Sequence, residues 1–125
     1  MDQINAVYQG NFDSLDNIQV SPLSRAYTFS DSVYEVVPFF EGTPIGFGEH
    51  LARLQRSANA IDIDIDQSLA SREISQLIES CKFKNGYVYY QVSRGVDQIR
   101  NHIYHNNIEI EYFGYVKNHA FDDQK

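Results

Sequence analysis

Hydrophobic positions along this chain follow two periods, and the places where the period changes divide it into elements. Ala6-Val7-Tyr8-Gln9 before Gly10-Asn11 reads as a strand and a turn, and Ile18-Gln19-Val20 as a second short strand stopped by Ser21-Pro22. Val33 to Phe40 is rich in β-branched and aromatic residues and is the clearest strand. Glu41-Gly42-Thr43-Pro44 then turns the chain into Ile45-Gly46-Phe47, which predicts a hairpin. From there the period becomes helical. Leu51, Leu54, Ala58 and Ile61 form one stripe; Ile74, Leu77, Ile78 and Cys81 form another, with Ser68 as the expected N-cap. Lys82, Lys84 and the Asn85-Gly86 turn close the second helix. Strands resume at Tyr87 to Val92 and Ile108 to Phe113, and the polar loop between them, of about a dozen residues, is long enough to suggest a functional role. Strands, two helices and strands again predict an α+β fold: an antiparallel sheet with both helices packed on one face.

The 125 residues suit a single domain, and the 42% hydrophobic content is that of a folded one. The net charge of −7 argues against a nucleic-acid or anionic-membrane footprint. It also makes the few arginines informative, since no general basic surface explains them. The single cysteine, Cys81, allows no intrachain disulfide and reads as a small core residue. The acidic, polar start is no secretory signal, and no apolar run approaches membrane-spanning length. The expectation is a soluble, cytoplasmic protein.

Two groups of residues carry candidate chemistry. His50 and Arg53 stand three apart on the first helix and share a face, away from Leu51 and Leu54. A guanidinium fork suits a phosphate, donating two parallel charge-assisted hydrogen bonds. Glu35, on the preceding strand, is placed to hold His50 or Arg53. Tyr34 sits at the mouth of the same strand. In the later loop Arg100 and His102 flank Asn101, and extended alternation would send both side chains the same way, an arrangement that suits a carboxylate.

The series Ser24-Arg25 through Val33-Tyr34-Glu35, Glu49-His50-Leu51-Ala52-Arg53-Leu54, Ser93-Arg94-Gly95 and Arg100-Asn101-His102 resembles the N-terminal small domain of the class IV (fold-type IV) aminotransferases. The likeness runs from about Val7 to about Asn118, and Tyr34 with Arg100-x-His102 is most similar to the D-amino-acid transaminase subgroup. The resemblance implies the same α+β architecture and dependence on pyridoxal 5'-phosphate, with amino acid and 2-oxo acid as substrates. It implies that Arg53 binds the cofactor phosphate and that Tyr34, Arg100 and His102 bind the substrate carboxylate. The last two would come from the partner subunit, so a homodimer is implied. The family's Schiff-base lysine lies on a second domain not found in this chain. Residues 1–118 would then be the small domain and 119–125 a truncated linker, and the chain alone is expected to be inactive. Aminodeoxychorismate lyases and branched-chain aminotransferases of the same family remain alternatives, as does a non-catalytic dimerisation or calcium-binding module. Arg94, before Gly95, is assigned to shaping the loop. Ala26, Ser30 and Ser32 stand where the family often has glycine, and small residues there should let the turn survive.

Two other patterns compete. Asp62, Asp64, Asp66 and Glu73 have most of the spacing of an EF-hand loop, but Gln67 stands where the sharp turn needs glycine. Ile63 and Ile65 are better explained as anchors for a connection between the helices. Tyr87, Tyr89, Tyr112 and Tyr115 suggest a base-stacking surface, which the acidic balance opposes; core and interface packing fits them better.

Overall fold

The computed structural model describes residues 3–97 and 108–118. The sheet has six antiparallel strands: β1 (Asn5–Tyr8), β2 (Asn11–Ser14), β3 (Ser32–Phe40), β4 (Thr43–Pro44), β5 (Gly86–Ser93) and β6 (Glu111–Asn118). Their spatial order is β2-β1-β6-β5-β3-β4, so the first strand pairs with the last and β5 lies between β6 and β3. A one-turn helix, α1 (Arg25–Thr28), precedes β3, and two long helices, α2 (Phe47–Ala60) and α3 (Gln67–Ser80), fill the crossover from β4 to β5.

Strand alternation explains how the layers meet. Val37 and Phe39 of β3, Val88, Tyr90 and Val92 of β5, and Val116 of β6 all face the helices and are buried. Leu54 and Ala58 of α2 and Ala70, Ile74, Leu77 and Ile78 of α3 meet them in one core. Leu51 and Ile61 pack at its border. Ile63 and Ile65, in the connection between α2 and α3, are buried against the same core, which accounts for the alternation of aspartate and isoleucine there.

Several boundaries differ from the sequence reading. Ile18–Val20 forms no strand; the second strand is β2, which pairs with β1 across Gln9-Gly10, both at positive φ (49° and 81°). The turn is so tight that β1 is paired at once, and Leu15–Asn17 closes it with a 3-10 turn. The β3–β4 hairpin is equally tight. Glu41 and Gly42 take φ of 51° and 76°, the left-handed pair a two-residue hairpin needs, and Ile45–Phe47 is not a strand. Instead Gly46, at φ 64°, leads into α2. The cap of α3 is Asp66, whose carboxylate accepts from Leu69 N at 3.1 Å, not Ser68. Finally, β6 begins at Glu111 rather than Ile108. Its partner β5 ends at Ser93, directly opposite Glu111, so residues 108–110 have no ladder to join.

Candidate functional site

Burial alternates along β3, so Tyr34 and Glu35 project to opposite faces of the sheet. Glu35 points under α2 and is 5% exposed. There it meets the two polar residues that the helix offers one turn apart. Arg53 donates from Nε to Glu35 Oε2 at 2.7 Å and from Nη2 to Oε1 at 2.9 Å. His50 Nδ1 lies 2.7 Å from the same Oε1. Burial pushes the Glu35 carboxyl up, but hydrogen bonds and charge from Arg53 and His50 outweigh it and hold the group below its ordinary range.

The Arg53 side chain is nevertheless 59% exposed. A guanidinium carries five N–H donors, and Glu35 takes two of them. Arg53 also lines a cleft of about 430 Å³ together with Gly46, Glu49, His50 and Arg56. This is a suitable grip for a phosphate: fixed by a carboxylate behind it, with donors left over in front.

Tyr34 lies on the helix-free face and is 60% exposed. Its ring stacks on Tyr89 at 5.3 Å, and Tyr89 stacks on Tyr115 at the same separation. Phe113 continues the row at 6.0 Å from Tyr115. The four tyrosines singled out in the sequence therefore divide. Tyr87, Tyr89 and Tyr115 lie by alternation on this open face, whereas Tyr112 packs on the helix side, its hydroxyl accepting from Asp66 N at 2.9 Å.

Tyr34 and Arg53 are thus not on one surface. What they share is the rim of β3. β4 pairs only with Phe39 and Phe40, so among the described residues no strand pairs with the rest of that edge of β3, where the aromatic face and the helix layer meet. Arg100 and His102 lie outside the described residues. So does any contact of theirs with Tyr34.

The chain leaves β5 towards Arg100 through a buried ionic knot. Arg94 donates from Nε to Asp31 Oδ2 at 2.5 Å and from Nη2 to Asp31 Oδ1 at 3.1 Å, and also to the Ile61 carbonyl. Arg25 donates to the same Asp31 at 3.0 Å and lies 3.8 Å from Asp97. Burial raises the Asp31 carboxyl, but the two guanidinium groups outweigh it and lower it overall. Gly95 takes φ 123°, and a Cβ there would sit 2.0 Å from the Glu109 carbonyl oxygen, so only glycine fits. Ser30 holds φ 52°, a left-handed conformation that glycine would adopt more easily.

Two further carboxylates are buried: Glu73, weighed in the sequence only as the end of an EF-hand-like spacing, and Glu111, which the sequence did not mark at all. Glu73 is 2% exposed and accepts from the Tyr90 hydroxyl at 2.6 Å; burial raises its carboxyl above the ordinary range, against a smaller lowering by Tyr90 and Arg72. Its spacing from Ala70, Ile74 and Leu77 on α3 was the available signal, because it sits on their stripe. Glu111 is 7% exposed and accepts from Ser24, Ser93 and Tyr8. Alternation along β6 puts it on the helix-free face, where Tyr8, Ser93 and Ser24, the cap of α1, meet its carboxylate. Cys81 is partly buried, its thiol directed at the Ile78 and Phe83 carbonyls and pushed up by burial, the state of a packed thiol rather than a nucleophile. Among the described residues no three His, Cys, Asp or Glu side chains converge on a metal-sized site, and no helix is long and apolar enough to cross a membrane.

A family model described as amino-transferase class IV matches residues 32–124. D-alanine aminotransferase from Listeria monocytogenes is 40% identical over 91 residues, covering 70% of this chain and 31% of that protein. The enzyme of the same name from Staphylococcus aureus is 36% identical over 95 residues, 74% of this chain and 33% of the relative. The chain therefore spans about a third of the length of these relatives. Among solved structures, a branched-chain aminotransferase from Thermoproteus uzoniensis superposes with TM-score 0.81 at 16% identity, over 95% of this chain and 42% of that one. A 4-amino-4-deoxychorismate lyase from Pseudomonas aeruginosa does so with TM-score 0.75 at 18% identity, over 91% and 39%. At such identities the two structures speak for the fold alone.

Proposed function

The chain belongs to the class IV aminotransferase family, and on that premise we propose that it supplies the phosphate and carboxylate contacts of a pyridoxal-phosphate-dependent transaminase. The observation that carries this reading is Arg53. A carboxylate fixes its guanidinium from behind through two hydrogen bonds, while its other donors stay exposed. A surface arginine kept only for solubility has no need of such bracing; a phosphate grip does. Glu35 and His50 support it, setting the guanidinium plane in advance of binding.

Pyridoxal 5'-phosphate, when bound, supplies an electron sink for charge developing at the amino acid's α-carbon. The residues of this chain bind and orient. Arg53 takes the phosphate, and Tyr34 presents its hydroxyl to the substrate carboxylate from the open face. Arg100 and His102 complete that carboxylate site, reaching it from the partner subunit of a homodimer. In the complete enzyme a second domain, joined to residues 1–118 through 119–125, would carry the lysine that moves the proton. A D-amino acid as donor and a 2-oxo acid as acceptor agree with the named activity of the relatives at 36–40% identity. A cytoplasmic location suits that chemistry.

Pyridoxamine 5'-phosphate and pyridoxamine, titrated against the chain by fluorescence, test the central contact without aldehyde side reactions. The phosphorylated form should bind more tightly, and Arg53→Ala should abolish that preference, a loss of about tenfold or more in affinity. Equal binding of both compounds to the unmodified chain would remove the phosphate role. In the complete enzyme, turnover of D-alanine but not L-leucine separates the D-amino-acid reading from the branched-chain one.

A further inference from the structure

The helix-free face of the sheet ends in a recess that the transaminase reading does not use. Its floor is the carboxylate of Glu111, 7% exposed. Ser24 Oγ and Ser93 Oγ donate to Oε1 at 2.5 and 2.6 Å, and the Tyr8 phenol donates to Oε2. Among the described residues no lysine, arginine or histidine pairs with it, whereas Asp31 and Glu35 each hold a guanidinium. A carboxylate has about four acceptor sites, and three hydroxyls leave one open. An N–H donor from a cation would fill that open acceptor with a charge-assisted hydrogen bond, so this floor favours a cation above it.

The walls define the rest of the occupant. Leu15, Ile18, Val20, Tyr27 and Phe113 surround the floor, and the recess encloses about 420 Å³, room for a small molecule. Ile18 and Val20, apolar residues that join no strand, have their role here. An anion would be repelled by Glu111. A neutral apolar molecule would leave the open acceptor without a donor, and a quaternary ammonium has no N–H to give. We propose that this recess binds a primary alkylammonium group, its NH3+ donating to Glu111 and its hydrocarbon stem lying along Leu15, Ile18 and Val20. Ser32, Ser93 and Glu111 form one register row, and Tyr34, Gln91 and Phe113 form the next on the same face. The bound amine would therefore sit about 7 Å along the strands from the Tyr34 row. The proposal stands on the recess alone and does not require the transaminase reading.

The test is a titration of the cofactor-free chain with n-butylammonium, followed through the backbone amide NMR signals of Ser93, Glu111 and Val20. Saturable shifts at these residues are expected, with none from butyrate, which has the same apolar stem and the opposite charge. Glu111→Gln should weaken binding by about tenfold or more, the loss expected for a charge-assisted hydrogen bond. Because Glu111 is buried, Val20→Lys at the exposed mouth provides a second variant, whose own ammonium should exclude the probe to a similar extent. Butyrate binding as well as butylammonium, or both folded variants binding like the unmodified chain, would overturn the proposal. So would shifts that fail to saturate.

Discussion

At the scale of single residues, buried carboxylates decide most of what is distinctive here, and their partners fix the sign of each effect. Glu35 is lowered overall by Arg53 and His50. A depressed carboxyl contributes stability above its unfolded value, lost as pH falls through the folded one. Glu35→Gln should therefore lower the urea midpoint at neutral pH, by about 1–3 kcal/mol in unfolding free energy, and should narrow the gap to the unmodified protein as pH drops below 4.5. Glu73 has the opposite sign. Its raised carboxyl favours the folded state only while protonated, so its contribution declines as pH rises from 4.5 through the folded value. Glu73→Gln should raise the melting temperature at pH 7 and change it little at pH 4. Had Glu73 found a cation on folding, the variant would melt lower at pH 7. Residue order already placed Glu35 to hold His50 or Arg53, and it holds both; the Tyr90–Glu73 pair was not legible, because strand parity and helix phase had to be combined to see it.

At the scale of elements, hydrophobic period located both long helices and the principal strands, since each buries a single face. Ends were less legible because caps and partners set them. The start of α3 is the clear case. Ser68 and Asp66 are both good capping residues, and only the hydrogen bond to Leu69 N distinguishes them. Asp66→Ala should cost about 1 kcal/mol by thermal or urea unfolding, and Ser68→Ala should lie within about 0.5 kcal/mol of neutral. The beginning of β6 could not be read locally either, for the isoleucines of 108–110 have the right alternation and merely lack a neighbouring strand. The two-residue turns at Gln9-Gly10 and Glu41-Gly42 explain why the hairpins are shorter than the runs of apolar residues implied.

Across the whole molecule, one face of the sheet is sealed by helices and the other carries Tyr34, Val36 and Phe40 at 60%, 41% and 60% exposure beside the stacked Tyr89 and Tyr115. Exposed apolar continuity of this kind favours association. In sedimentation velocity the chain should show concentration-dependent self-association, which a Val36→Ser and Phe40→Ser double variant should reduce; equal sedimentation of both would remove the face from consideration. The architecture was readable because order of elements restricts how they can pack. The division of Tyr34 and Arg53 between two sides was not, since it depends on which neighbour of Tyr34 turns inward. That division has a consequence for how this segment can vary. Adding or deleting one codon between Val33 and Val37 would exchange inward and outward positions downstream, swapping an acid for an aromatic ring. Point substitution can tune this stretch, but chimaeras and insertions that cross it must change its length by an even number of residues or not at all.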